Sequence, residues 1–161
     1  MKVKAKKHLG QHFLKDPSIC QRIAGDLKMA KSQNVLEVGP GTGALSKWLI
    51  ADKRIQELYL MDVDEESITY LKMLYPEWSS KILFEDFLHY DINKFLTGES
   101  FNVVGNFPYN ISSQILFRCL EFKDRIPEIV GMFQREVAQR IAKGPGSKQI
   151  FNVIIRLHKN A

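Results

Sequence analysis

A short turn in the second half of the chain brings together an amide, a proline and a phenol ring, in the order Asn106, Phe107, Pro108 and Tyr109. The carboxamide oxygen of Asn106 and the carbonyl of Pro108 can both accept hydrogen bonds from one exocyclic amine, and the ring of Tyr109 offers a stacking surface for a planar base. Because proline cannot continue a sheet and keeps the preceding residue extended, these groups should stand at a strand end. A buried turn with a packed tyrosine is the alternative interpretation.

A glycine-rich loop follows an apolar run earlier in the chain and contains Gly39, Gly41 and Gly43. Glycines let the backbone pass close to a ligand, and the helix that follows presents free amides, so the loop is typical of a site for a nucleotide-type ligand. Dinucleotide enzymes favour glycines at the first, third and sixth places. Here the third glycine is at the fifth place and Ala44 is at the sixth, which some dinucleotide sites accept. A dinucleotide site and a tight turn without a ligand therefore both stay open.

Two later strand ends carry acids. Asp62 lies 19 residues beyond Gly43, where a carboxylate can accept hydrogen bonds from both hydroxyls of a ribose. Asp64 is an alternative partner for the ribose, and a solvated acid at the start of a helix is the third interpretation. After the next strand, Asp86 offers a carboxylate for an adenine amine, and Phe87 an apolar neighbour for the adenine ring.

The turn at Asn106 suits a particular chemical need. The amine of adenine is a poor nucleophile because its lone pair is delocalised into the ring, and two acceptors that hold its hydrogens would favour a pyramidal nitrogen. An activated methyl group on a sulfonium needs little acid or base help, so positioning can supply most of the rate, up to about 7 kcal/mol or more in ideal cases. No Ser, His and Asp set is required for such a transfer.

Alternating patterns predict the scaffold for these groups. Asp16 followed by Pro17 predicts a helix start, with a capping carboxylate before a proline at the first helical position. Strands alternating with helices imply a mostly parallel sheet covered on both faces. The predicted strands are 34–38, 58–61, 81–84, 101–104, 128–132 and 151–157, and the predicted later helices run through 45–49, 65–74, 112–120 and 135–141.

Composition limits the class of protein. A chain of 161 residues with 45% hydrophobic content suits one domain and excludes disorder and collagen-like repeats. No apolar stretch approaches the ~18 residues of a membrane span, and we expect a cytoplasmic protein. Five of the 23 lysines and arginines lie in residues 1–15, which hold no acid, so the remaining chain has 18 of each sign. Cys20 and Cys119 lack the spacing of a metal or redox pair, and we expect reduced, partly buried thiols.

Four stretches of the sequence resemble the ribosomal RNA adenine dimethyltransferases, within the S-adenosylmethionine-dependent class I methyltransferases. They are KHLGQHFL at 7–14, EVGPGTG at 37–43, Asp86 after the third strand, and NFPYNIS at 106–112. The resemblance covers roughly residues 6–148 and implies an α/β, Rossmann-like class I methyltransferase fold. It also implies two successive methyl transfers to each of two neighbouring adenines in small-subunit ribosomal RNA.

The resemblance assigns residues to two roles. It implies that Asn106, Pro108 and Tyr109 are catalytic and hold the flipped adenine. The family usually has glutamate at the place of Asp62, and the shorter side chain keeps the charge but shifts its reach. The residues that contact S-adenosylmethionine by resemblance are His12, Leu14, Gly39, Gly41, Asp62, Asp86 and Asn106, to which the apolar position of Phe87 is added.

The leading arm gains meaning from this resemblance. A lone histidine such as His12 is more often packed or exposed than a ligand contact. Within the motif at 7–14 it is instead expected to belong to a lid folded over the cofactor, so residues 1–15 are interpreted as a basic arm and cofactor lid. Lys2, Lys4, Lys6 and Lys7 would then hold RNA phosphates, a contribution that should fade with salt.

The match changes after Lys148. Residues 16–161 are expected to be the S-adenosylmethionine-binding domain, which would be incomplete after residue 148. The family's small helical C-terminal domain is expected to be absent. The sequence also offers no candidate for a second aromatic residue that would stack on the other face of the adenine. The expected partners are ribosomal RNA and the small ribosomal subunit precursor, without metal or membrane. We expect a monomer, with self-association through edges that the missing segments expose. The alternative function is an RNA-binding ribosome-assembly factor with weak or no activity; a nicotinamide oxidoreductase is disfavoured by the glycine spacing.

Overall fold

The computed structural model describes residues 1–133, 136–139 and 153–155. Within these ranges, six strands form one sheet in which every neighbouring pair is parallel, in the order β3-β2-β1-β4-β5-β6. The order reverses between β1 and β4, which opens a crevice at their carboxyl ends. The strands are β1 (Asn34–Val38), β2 (Glu57–Asp62), β3 (Ile82–Phe84), β4 (Asn102–Asn106), β5 (Ile129–Met132) and β6 (Val153–Ile155).

The helices begin where local capping favours them. Asp16 caps the first helix by accepting a hydrogen bond from the backbone amide of Ser18 at 2.9 Å, and Pro17 occupies the first helical position as predicted. Asp64 caps the third helix in the same way. The helices are α1 (Pro17–Asp26), α2 (Ser46–Ala51), α3 (Glu65–Leu74) and α4 (Ser112–Glu121).

Two apolar layers cover the faces of the sheet. Neighbouring strand residues alternate between them, so Val35 packs in the layer with α1, α2 and α3, whereas Leu36 packs in the layer with α4. Val104 and Val103 divide between the two layers in the same way. This arrangement confirms the predicted α/β class with helices on both faces.

The structure differs from the predicted elements mainly at their ends. Lys81 closes a 3₁₀ turn that starts at Pro76, so β3 begins one residue later than predicted. β4 runs on to Asn106, two residues beyond the predicted end, which places this side chain on the strand itself. Of the predicted helix at 135–141, residues 136–139 are helical and the rest lies outside the described residues. In the ranges described, no helix is both long enough and apolar enough to cross a membrane.

Candidate active site

The glycine loop bends sharply between β1 and α2. Gly39, Gly41 and Gly43 all have left-handed φ angles, of 72°, 55° and 83°, which side chains other than glycine rarely adopt. The loop also has close neighbours: a Cβ on Gly39 would lie 3.6 Å from Cδ of Pro108, and one on Gly41 would lie 2.9 Å from Cε1 of Phe13. The loop is therefore in contact with both the turn after β4 and the leading arm.

A cleft of about 560 Å³, open to solvent, lies over this loop at the crevice between β1 and β4. It brings together most of the site residues expected from the sequence: His12, Leu14, Gly39, Gly41, Asp62, Asn106 and Pro108 all line it. The arm contributes further walls through Leu9, Gln11 and Phe13, and the loop region does so through Glu37 and Thr42. Tyr109, Asp86 and Phe87 do not line this cleft.

Asp62 and Asp64 have separate structural environments. The carboxylate of Asp62 lines the cleft, is 6% exposed, and accepts hydrogen bonds from the amides of Gly41 at 3.1 Å and Asp64 at 2.9 Å. Burial raises the pKa of Asp62, and these amides oppose the rise. The carboxylate of Asp64 instead accepts from Lys6, from Gln11 and from Ser67. Asp64 thus joins the arm to α3, whereas Asp62 faces the cleft.

The two acids differ in pKa because their partners differ. Burial alone would raise the pKa of Asp64, but the hydrogen bonds from Lys6, Gln11 and Ser67 outweigh it and leave the pKa below its ordinary value. The Lys6 ammonium also lies 3.4 Å from Glu66. Lys6 is therefore paired with Asp64 and Glu66 in this structure. The sequence analysis instead predicted that Lys6, like the other lysines of the arm, holds RNA phosphates.

A buried acid that the sequence analysis did not single out lies beneath the cleft. Glu37, at the end of β1, is 1% exposed and accepts a hydrogen bond from the hydroxyl of Ser46 at 2.6 Å. Burial raises the pKa of Glu37 to about 8; the Ser46 hydrogen bond lowers it, and the charge of Asp62 adds to the rise. Its place two residues before Gly39, at the start of the glycine-rich motif, was the only signal in the sequence.

Asp86 and Phe87 line a second, mostly apolar cavity of about 320 Å³. Gly39, Asp62 and Pro108 line both this cavity and the main cleft, so the two are contiguous along the carboxyl edge of the sheet. The Asp86 carboxylate accepts from the amide of Leu88 at 3.0 Å and lies 2.6 Å from Nδ1 of His89. Phe87 is a buried core side chain.

The turn after β4 holds its polar groups at the rim of the cleft. The Asn106 side-chain amide donates a hydrogen bond to the backbone carbonyl of His12 at 2.6 Å, which leaves the carboxamide oxygen as the acceptor on the other side. The Pro108 carbonyl accepts from the amide of Ile111 at 3.1 Å and keeps its second lone pair. Tyr109 is half-buried, and its ring stacks on the imidazole of His12 with a centroid separation of 4.4 Å.

The leading arm lies along this rim. Gly10 has a φ of 64° and packs so closely on Asn110 that a Cβ would lie 2.3 Å from its Oδ1. Leu14 packs against the apolar layer of α1–α3. Together with the ties of Lys6 and Gln11 to Asp64, these contacts place the arm between the end of β2 and the turn after β4. Phe13 and Gln11 belong to the arm motif, but spacing alone did not reveal that their side chains reach the loop and Asp64.

Cysteine and metal chemistry receive no support from the described residues. Cys20 and Cys119 are both free and buried, more deeply than the partial burial expected from the sequence. In the part of the chain that the structure describes, no three His, Cys, Asp or Glu side chains are grouped closely enough to hold a metal ion.

Comparison with known proteins decides the family. A sequence model of the family described as "Ribosomal RNA adenine dimethylase" matches residues 2–155. The chain belongs to the ribosomal RNA adenine dimethylase family. It is 55% identical over 147 residues to the Ribosomal RNA small subunit methyltransferase A of Flavobacterium johnsoniae, a match that covers 91% of this chain and 56% of the relative. The chain thus spans about half the length of the curated relatives that it matches.

Solved structures agree with this membership. A dimethyladenosine transferase from Plasmodium falciparum superposes with a TM-score of 0.66 at 29% identity, over 84% of this chain and 48% of that one. The TrmK of M. capricolum, solved with S-adenosyl-homocysteine, matches with a TM-score of 0.50 at 13% identity, over 74% of this chain and 52% of that one, which shows the fold alone. The expected class I methyltransferase fold and the expected methyltransferase family are therefore both confirmed.

Proposed function

We propose that this chain binds S-adenosylmethionine in the cleft over Gly39 and transfers its methyl group to the exocyclic amine of an adenine in small-subunit ribosomal RNA. The observation that carries the proposal is the closeness of the glycine loop and the turn after β4: Gly39 and Pro108 line the same cleft, and a Cβ added to Gly39 would lie 3.6 Å from Cδ of Pro108. A donor on the loop and a base at the turn would therefore face each other across one short gap, which in-line transfer requires.

The charge of the cleft favours a cationic ligand. S-adenosylmethionine carries a sulfonium and an ammonium group beside its carboxylate, and Asp62 is a buried acid that lines the cleft. The neighbouring Glu37 adds little negative charge at neutral pH, because burial raises its pKa to about 8. The phosphates of a nicotinamide dinucleotide would instead be repelled by the Asp62 carboxylate in the cleft. The fit therefore supports S-adenosylmethionine and counts against the oxidoreductase alternative.

The proposed binding mode follows the edge of the sheet. Asp62 would accept the ribose hydroxyls, because it faces the cleft while Asp64 is engaged by the arm. Asp86 and Phe87 would hold the adenine in the adjoining apolar cavity. The remaining contacts proposed from the sequence, which surround the methionine end, are His12, Leu14, Gly39, Gly41 and Asn106.

The proposed acceptor site uses the turn after β4. S-adenosylmethionine supplies an activated methyl group, so this chain's own residues need only hold and orient the amine. With its amide donating to the His12 carbonyl, Asn106 offers its oxygen to one hydrogen of the amine, and the Pro108 carbonyl accepts the other. Tyr109 would stack on the base, which helps to repay the few kcal/mol of flipping it out of the RNA.

The finer assignment rests on the family resemblance. We infer that two neighbouring adenines are each methylated twice, and that the partner is a precursor of the small ribosomal subunit in the cytoplasm. The basic arm supports an RNA partner, since Lys2, Lys4 and Lys7 are exposed to solvent. The second candidate, from another functional class, is an RNA-binding assembly factor that keeps the cofactor site without turnover.

The decisive experiment is a labelled-methyl assay on immature small ribosomal subunits, run beside a full-length relative and combined with calorimetry for S-adenosylmethionine. Asn106→Ala should abolish transfer while weakening cofactor binding only partly, because it removes an acceptor for the amine. Asn93→Ala, an exposed asparagine outside the cleft, is the matched control. Normal turnover by Asn106→Ala would refute the role of the amide. Cofactor binding without transfer by the unchanged chain would favour the assembly factor.

A separate variant tests the cofactor site. Asp62→Ala should mainly reduce the affinity for S-adenosylmethionine, because its carboxylate lines the cleft at the end of β2. The exposed Asp124 provides the matched control, Asp124→Ala. Unchanged cofactor affinity in Asp62→Ala would show that the ribose is held elsewhere.

A further inference from the structure

The ring face that the proposed function gives to the target base is already covered. The imidazole of His12 stacks on the ring of Tyr109, with 4.4 Å between centroids and 25° between planes. A planar base inserted between these two rings would need about twice that separation. On the face of Tyr109 that His12 covers, there is therefore room for either the imidazole or a base, and not for both.

The backbone of His12 is held much more firmly than its ring. Its carbonyl accepts the 2.6 Å hydrogen bond from Asn106. On either side of it, Gly10 packs on Asn110 and the ring of Phe13 packs on Gly41. The His12 side chain is exposed, so its ring can turn into solvent by rotation about its own side-chain bonds. Such a rotation leaves the arm docked and the amide of Asn106 oriented.

We propose that the His12 imidazole is a placeholder for the target adenine: it covers the face of Tyr109 in the free protein, and the base takes its place while the His12 carbonyl continues to orient Asn106. This inference rests on the proposed function, because it takes the Tyr109 face as the base site. It makes His12 a positioning residue through its backbone and a competitor of the base through its side chain.

The exchange predicts an unusual direction for a substitution at the site. Removing the imidazole frees the ring of Tyr109, so base binding no longer includes the free-energy cost of breaking an existing stack. An aromatic pair of this kind contributes modestly, so His12→Ala should tighten base binding by about two- to tenfold. His12→Phe should weaken base binding, because an apolar ring gains more from covering Tyr109 than an imidazole does.

The test uses the full chain and a short single-stranded RNA that carries 2-aminopurine at the target position, whose fluorescence is quenched when it stacks. We expect tighter binding and quenching with His12→Ala, weaker binding with His12→Phe, and loss of quenching with Tyr109→Leu. His8→Ala, which removes another exposed histidine of the same arm, is the matched control and should bind as the unchanged chain does.

Equal or weaker binding by His12→Ala would overturn the inference; weaker binding would mean that the imidazole forms a second wall against the base. Absence of quenching in every variant would also overturn it, because the Tyr109 face would then not be a base site. The measurement needs no turnover. Failure of methyl transfer with the expected order of affinities would refute the proposed function alone, and transfer with unchanged affinities would refute the placeholder alone.

Discussion

Gly10→Ala should release the arm from the rim of the cleft. Gly10 has a φ of 64°, and a new Cβ would lie 2.3 Å from Oδ1 and 3.3 Å from the backbone amide of Asn110. A side chain in the left-handed region costs about 1–2 kcal/mol before any clash is counted. The Asn110 side chain can turn away, but its backbone amide cannot, so the strain stays in the docked state and is relieved only by undocking.

This cost sets the size of the effect. A change of 1–2 kcal/mol alters an equilibrium by about 5- to 30-fold, so the docked population of the arm should fall by up to this factor. Because Phe13 and His12 line the cleft that we propose for the cofactor, the dissociation constant for S-adenosylmethionine should rise by up to about 30-fold. Trypsin should cleave the arm faster at its lysines, while the melting temperature of the sheet should hardly change.

Two other glycines separate the possible causes. Gly98→Ala introduces the same left-handed strain, at a φ of 87°, where nothing lies within 4 Å of the new Cβ. It should lower the free energy of unfolding by about 1–2 kcal/mol without changing arm cleavage or cofactor affinity. Gly25→Ala, in α1 and with open space around it, should be neutral or stabilising by about 0.5–1 kcal/mol. The docking geometry would be refuted if Gly10→Ala showed the same rate of arm cleavage and the same cofactor affinity as the unchanged chain.

Three further predictions follow from buried groups. Burial raises the pKa of Glu37 from 4.5 to about 8, so between these pH values the folded state keeps a proton that the unfolded state releases. Denaturant titrations should therefore show a free energy of unfolding that falls as the pH rises from 4.5 to about 8. Glu37→Gln should reduce this fall. Glu128→Ala removes the acceptor of the backbone amides of Lys28 and Met29, so chemical denaturation should show a free energy of unfolding lower by about 1–3 kcal/mol. The control Glu121→Ala, at an exposed position, should change it very little. A thiol reagent should label Cys20 and Cys119 only after unfolding, since both are buried; native-state labelling would contradict their placement.

The fold was predictable because its signals are local. The capping Asp16 before Pro17, the buried runs of the strands and the glycine loop each specify an element through neighbouring residues alone. The end of β4 was not predictable in this way: Gly105 and Asn106 are weak strand formers, and they remain extended because they pair with Gly131 and Met132 on β5. Tertiary pairing therefore determined where Asn106 stands.

The sequence predicted which residues line the site, and it did not predict which of them contact each other. The motifs named most of the residues that line the cleft, because their types and spacing reflect the same chemistry. The pairing of Lys6 with Asp64 joins residues 58 positions apart in the chain, and the stacking of His12 on Tyr109 joins two motifs that the sequence treats separately. Such contacts depend on how the arm folds back over the sheet, and no periodicity or spacing encodes that path.

The arm connects the two proposed halves of the reaction. Phe13 packs on the glycine loop that would carry the donor, while the adjacent His12 contacts both Asn106 and Tyr109, which would hold the acceptor. Because consecutive residues of the arm contact the glycine loop and the turn after β4, the arm cannot leave one of them without weakening its contacts with the other. A cofactor that orders the arm would therefore also orient the Asn106 amide, so donor binding should prepare the acceptor site before any base arrives.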